Sequence, residues 1–265
     1  MEFTDRSHLY EVLQPVEKIG RTEISEARER STGTRVMYHR IALEDSNFDT
    51  EAVAVDLQQE ALLINPRVAL LIDAWRAEDA LCYVRLEYSG VPLESPSGRG
   101  ALQATGRDVF EEAAFQTLAA LAALHDLTLT HKRVTAECYR VTPGGLVYLR
   151  DTGLWRRINE RLETNPDAFV FRLASKSARR DVAEWGAMMA GFAAGTPFQL
   201  IEEDGMPTAT PEEIERMQVT IRSAAGSKEL GEMISESLEA FNNLEIGGYE
   251  NAARALAKFP RRVLA

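Results

Sequence analysis

Ser89-Gly90-Val91-Pro92 breaks the chain's hydrophobic pattern: short strand-like runs dominate before it and helical spacing dominates after it, so a sheet followed by a largely helical half is expected. Before the break, residues 12–19, 24–30 and 35–42 alternate partly between apolar and polar side chains. They are separated by Gly20-Arg21-Thr22 and Ser31-Thr32-Gly33-Thr34, which have turn chemistry, so an antiparallel meander is expected. Residues 51–64 are helix-forming and stop before Asn65-Pro66, after which 68–75 and 81–88 read as two more strands. Beyond the break, SPSGRG at 95–100 reads as an exposed loop. Phe110, Ala113, Ala114, Leu118, Leu121 and Leu124 then recur at helical spacing within 107–125. Further helices are expected over 181–193, 211–224, 228–242 and 249–258.

With 265 residues, 45% of them apolar and 27% charged, the chain has the material for one two-lobed unit with a sizeable core. No apolar run reaches the roughly 18 residues a membrane helix needs, and the opening MEFTDRSHLY is polar, so neither a membrane span nor a secretory signal is expected. Cys82 and Cys138 are too few for a disulfide framework or a metal cluster, which fits a reducing, cytoplasmic setting. A formal charge of −11 argues against a nucleic-acid partner held through its phosphates, even with the short basic run RRINER at 156–161.

The most specific stretch is LTLTHKRVTAECYRVTPGGLVYLRDTGLW at 127–155. It resembles the catalytic loop, β-hairpin and metal-binding motif of eukaryotic-type protein kinases, where His-Arg-Asp is followed by four residues and Asn, and Asp-Phe-Gly comes some twenty residues after the His. VEKIG at 16–20, STGTRVMYHRI at 31–41, LCYVRLEYSGVPL at 81–93 and DVAEWGAMMAGFAAGTPF at 181–198 occur in the family's order and cover, with that block, residues 10–200. The resemblance implies an α+β, two-lobed kinase-like fold over 1–265. It puts a β-rich N-lobe at 10–88, a hinge and loop at 89–100 and a helical C-lobe at 101–265.

The same resemblance disputes the activity. His131 matches the loop histidine, but Arg133 stands where the family has its catalytic Asp, and an arginine that stays protonated is no base. Cys138 replaces the metal-binding Asn and is a soft ligand ill suited to magnesium. His39 replaces the phosphate-pairing lysine of the third strand, while adjacent Arg40 should face the other way. The glycine-rich loop is shortened to Gly20, and Met37 replaces the small residue over the adenine ring. Leu86 matches the gatekeeper, Glu87 follows it in the vestigial nucleotide cleft, and Asp151 is the one retained metal-binding acid. Thr152 replaces the Phe of Asp-Phe-Gly. The glutamate of the N-lobe helix matches Asp56 or Glu60, each expected to be a solvated helix carboxylate. Asp151 is expected to pair with Arg133 or His39. His131 and Asp181 are expected to be structural, Asp181 holding the loop backbone from the start of a central helix.

The losses imply a catalytically inactive pseudokinase, with no catalytic residues and no cofactor, neither ATP nor magnesium, serving as a scaffold or allosteric regulator in signalling. The implied partner is another protein, such as an active kinase or a phosphopeptide-binding domain. Thr152, Thr164, Ser175 and Ser177 lie among Arg156, Arg157, Arg179 and Arg180, where phosphorylation could create a recognition site. The alternatives are a nucleotide sensor that binds without catalysis, and an atypical kinase using Asp151 with Arg40 or Lys132.

Overall fold

The structure, a computed structural model, describes residues 4–43, 50–162, 174–198, 200–203, 206–241 and 247–260. Its elements begin with β1 (Tyr10–Ile19), β2 (Thr22–Glu29), β3 (Arg35–Ala42), α1 (Thr50–Ala61), β4 (Leu71–Arg76) and β5 (Ala80–Leu86). There follow β6 (Val91–Pro92), α2 (Pro96–Gln103), α3 (Val109–His125), β7 (Tyr139–Val141), β8 (Val147–Leu149), α4 (Leu154–Leu162) and α5 (Ala174–Ala194). The chain continues through β9 (Ile201–Glu203), β10 (Met206–Thr208), α6 (Pro211–Ala224), α7 (Lys228–Ser237) and α8 (Ala252–Ala257). This is an α+β protein with an antiparallel sheet towards its N-terminus and helices towards its C-terminus. Its described residues fall into two compact units, 4–89 with 150–162, and 90–149 with 174–260.

The first unit is built on a five-stranded antiparallel sheet in the order β1-β2-β3-β5-β4. A two-residue turn, Gly20-Arg21, joins β1 to β2, and Gly20 takes the left-handed φ of +55° that such a turn requires. Because side chains alternate along a strand, the sheet carries a separate core on each face. One holds Tyr10, Val36, Tyr38, Trp75, Cys82 and Val84. There Tyr10 stacks on Trp75 with centroids 5.3 Å apart, and Trp75 Nε1 donates to Ser7 Oγ at 3.1 Å. The other face holds Ile41, Leu81 and Tyr83 beneath Val53 and Leu57 of α1 and Leu154, Trp155 and Ile158 of α4. Each large side chain buried this way contributes roughly 1.5–3 kcal/mol. That packing is why α4 belongs with the sheet, although the sequence reading assigns everything from residue 101 onward to the helical half. Edge strand β1 has register shifts between Val12 and Gln14 and between Pro15 and Glu17, and exposes Val12, Leu13 and Val16.

In the second unit, α3 buries Leu118, Leu121 and Leu124, and α5 buries Val182, Met189 and Phe192. Fully buried Trp185 donates its indole N–H to Thr117 Oγ1 at 2.9 Å, so its one polar atom is satisfied. β6, β7 and β8 form a three-stranded antiparallel sheet. Residues 95–100 are not the expected loop. Ser95 Oγ accepts the Gly98 N–H at 3.0 Å and Pro96 occupies the first turn, so the segment starts helix α2. Elsewhere α7 stops at Ser237 and gives way to a 3-10 turn at Leu238–Phe241. Asn251 caps α8 and shortens the last helix to Ala252–Ala257, while α5 starts well before Asp181.

Gly98 lies hard against the chain that leads into its own helix: a Cβ there would sit 2.4 Å from the Pro92 carbonyl oxygen and 2.9 Å from that of Leu93. Gly98→Ala is expected to destabilise the protein by about 1–3 kcal/mol, read as a lower urea midpoint at unchanged m.

Candidate functional site

Of the positions singled out in the sequence, Gly20, Met37, His39, Leu86, Glu87 and Asp151 fall in the first unit. His131, Arg133, Cys138 and Asp181 fall in the second. Strand register decides how the first group is used. Met37 pairs across with Arg85, His39 with Tyr83 and Val36 with Leu86. Alternation therefore puts Arg85 on the face that carries Met37 and His39, and Leu86 on the opposite face with Val36. The gatekeeper assignment of Leu86 is corrected accordingly, and Gly20 is an exposed turn residue.

His39 is buried, with its ring stacked on Tyr83 at 4.3 Å and 8°. Burial, aided by the Arg85 guanidinium and opposed by the Asp151 carboxylate, pushes its pKa down to about 3. At neutral pH it is an uncharged aromatic plate and supplies no cation to a phosphate. Arg40 faces the other way and pairs with Asp79.

Met37 is 3% exposed, and its sulfur receives Arg150 Nη2 at 3.0 Å. The same guanidinium reaches Glu87 Oε2 through Nε at 3.3 Å. Arg150 thus covers Met37 and neutralises Glu87 together, and both ends of the pair are largely out of solvent.

Glu60 and Asp56 were expected to be solvated, yet both are buried, Glu60 completely. Glu60 is gripped from two sides, one carboxylate oxygen by Arg85 Nη2 and the other by Arg157 Nη2. Arg85 also donates to Thr152 Oγ1 at 2.6 Å and to the Ala69 carbonyl at 2.8 Å, and Arg157 to the Thr152 carbonyl at 2.8 Å. Burial alone would raise the Glu60 carboxyl, but the two guanidinium groups outweigh it and hold it below the usual range. The Glu60 carboxylate is thus satisfied by arginines from β5 and α4.

Asp151 accepts the Gly153 N–H at 2.8 Å and pairs with Arg156 Nη1 at 2.8 Å, so it caps the entry to α4. Within its own unit Asp151 is paired with Arg156. Its carboxylate could still offer an oxygen to a cation, but only in competition with that arginine. Thr152 is fully buried and bonded to Arg85, which removes it from the residues open to phosphorylation. Thr164 lies outside the described residues, and Ser175 and Ser177 fall within α5. The arginines around them face inward: Arg179 donates to the Gly247 and Gly248 carbonyls at 2.7 and 3.1 Å, and Arg180 pairs with Glu184.

In the second unit, two carboxylates on successive turns of α5 hold the 131–134 loop. Asp181 accepts the backbone N–H groups of His131 at 2.6 Å and Lys132 at 2.8 Å, and Glu184 accepts that of Val134 at 2.7 Å. Lys132 takes a φ of +70°, a strained setting for a residue with a side chain, in bringing its N–H to Asp181. His125 Nδ1 accepts the Ala252 N–H at 3.0 Å, which fixes the ring proton on Nε2, where it is donated to Asp181 at 3.0 Å. Burial would raise Asp181, but these partners leave it below its ordinary value. Burial and the neighbouring Asp181 charge push Glu184 up to about 7, against the pull of Val134 N–H and Arg180. Cys138 is buried, with its thiol 3.6 Å from the Arg133 carbonyl, to which it donates, and 3.4 Å from Thr135 Oγ1. Arg133 itself is exposed, and His131 is fully buried.

Four residues with defining roles were not singled out from the sequence as site residues: Arg85, Arg150, Arg157 and Glu184. Arg85 carries a readable signal, a lone cation inside the apolar run LCYVRL, and Glu184 another, an acid three residues after Asp181 in an apolar helix. No protein-family model matches the chain, and no curated protein matches it in sequence.

Glu60→Ala is expected to cost about 3–5 kcal/mol in urea unfolding, because it leaves two buried guanidinium groups unpaired. Glu184 gives a pH signature. Between the ordinary glutamate value of 4.5 and about 7, the folded chain holds a proton that the unfolded chain has released, so this group makes stability fall as pH rises through that window. The melting-temperature difference between the native chain and Glu184→Gln is expected to change across pH 4.5–7 and to level off above it, in a pH series of thermal melts.

Proposed function

We propose that this protein is a catalytically inactive member of the protein-kinase-like class, a pseudokinase that acts on a signalling partner by binding it rather than by transferring phosphate. The observation that carries the reading is the treatment of the would-be nucleotide face of the first unit. The position matching the phosphate-pairing lysine is a buried imidazole, His39. The position matching the residue over adenine, Met37, is covered by Arg150, which is tied in turn to Glu87. The helix carboxylate Glu60 is committed to Arg85 and Arg157. These groups neutralise and fill one another, so the face keeps its packing without a ligand's charge. In the second unit, the loop matching the catalytic loop is held by Asp181 and Glu184 through its backbone, while exposed Arg133 supplies no base.

The test is nucleotide binding by thermal shift and calorimetry, with ATP alone and with magnesium, followed by a radiolabel transfer assay on a generic protein substrate. No shift in melting temperature and no transfer are expected. Saturable ATP binding without transfer would instead favour a nucleotide sensor, and transfer lost in Asp151→Asn would favour an atypical kinase.

A further inference from the structure

Away from the kinase-like positions, the second unit carries an open groove of about 640 Å³ between α6 and α7. Its α7 wall presents Glu232, Glu236 and, just beyond the helix, Glu239, all exposed and spaced to share one side of the helical path. The floor is made of small residues, among them Ala225 and Gly231, and at Gly231 a Cβ would lie 3.3 Å from Arg222 Cα. Gln218 and Ser235 line the middle. Ser235 is 5% exposed, and its hydroxyl has no hydrogen-bond partner among the described residues. An orphaned buried hydroxyl is costly unless something outside the fold serves it. Glu236 is held in place by the Tyr249 hydroxyl at 2.5 Å, and among the described residues Glu232 pairs only with the exposed Lys228 at 3.4 Å, a pair that solvent screens.

We propose that this groove docks an extended basic peptide segment of a protein partner. A lysine or arginine side chain would set its charge against Glu232 and Glu239, and the peptide backbone would serve Ser235. Charge supports the assignment at two scales: the local carboxylate row, and the −11 formal charge of the chain, which draws cationic partners. Arg222 and Lys228 at the turn end disfavour a second cation there, which gives the bound segment a direction. The inference supplies a surface and a partner chemistry for the scaffold reading and rests on it for its biological sense. The binding event itself needs only the groove.

The test uses the full chain and an acetylated, amidated heptapeptide in which lysine and arginine alternate with alanine, carrying a fluorophore for anisotropy. Saturable binding is expected. It should weaken about tenfold in Glu232→Gln/Glu239→Gln, leaving Glu236 to hold Tyr249. A control, Glu17→Gln/Glu78→Gln, removes the same charge from exposed positions in the first unit and is expected to bind as the native chain does. Ser235→Ala is expected to weaken binding without lowering the melting temperature, since no internal bond is lost. Equal weakening by the control, unchanged binding in the groove variants, or no saturable binding would overturn the proposal. ATP binding, measured separately, bears on the pseudokinase reading and leaves this one untouched.

Discussion

The first unit depends on a carboxylate that has been taken completely out of water. Glu60 has no access to solvent, and an isolated ion there would cost several kcal/mol, so the surrounding elements must deliver cations to it. β5 delivers Arg85 from an otherwise apolar strand, and α4 delivers Arg157 while Leu154, Trp155 and Ile158 join the core. The segment after Asp151-Thr152-Gly153 is therefore a structural member of the sheet unit. Its ionic grip and its apolar packing act on the same helix, and Thr152 is enclosed between them.

The second unit solves a related problem by different means. Asp181 and Glu184 are also buried acids, but backbone amides of the 131–134 loop supply most of their partners, with one imidazole and one guanidinium beside them. Amides are fixed dipoles, so holding the acids and shaping the loop are one event. Asp181 has three donors and stays ionised. Glu184 has fewer and sits beside a like charge, and its proton affinity rises into the neutral range.

The meander, helices α3 and α6, and the α+β order were legible because each rests on local periodicity and turn chemistry. The hairpin turn at Gly20, for instance, needs only that glycine's positive φ. Helix α2 was misread because Ser, Pro and Gly at 95–100 serve equally in loops and in helix starts, and only the bond from Gly98 N–H to Ser95 Oγ separates the two. Asp181's grip on the loop was anticipated from a motif. The fate of Glu60 was not, because a carboxylate on a polar-looking helix gives no sign of the two arginines, Arg85 and Arg157, that reach it from distant parts of the chain. Leu86 falls on the face opposite Met37 for a narrower reason: a one-residue difference in strand position turns a side chain to the other face.

Strand β1 lies at the sheet's edge and exposes Val12, Leu13 and Val16 along a row of backbone groups that no strand among the described residues pairs on one side. Such an edge ordinarily invites another chain to add a strand and begin a polymer. Here the two register shifts bend the strand, and Pro15 removes an N–H from the row. A foreign strand would find hydrogen-bonding positions out of step with its own. The protein can thus keep apolar side chains in solvent on its sheet margin while resisting growth into fibres.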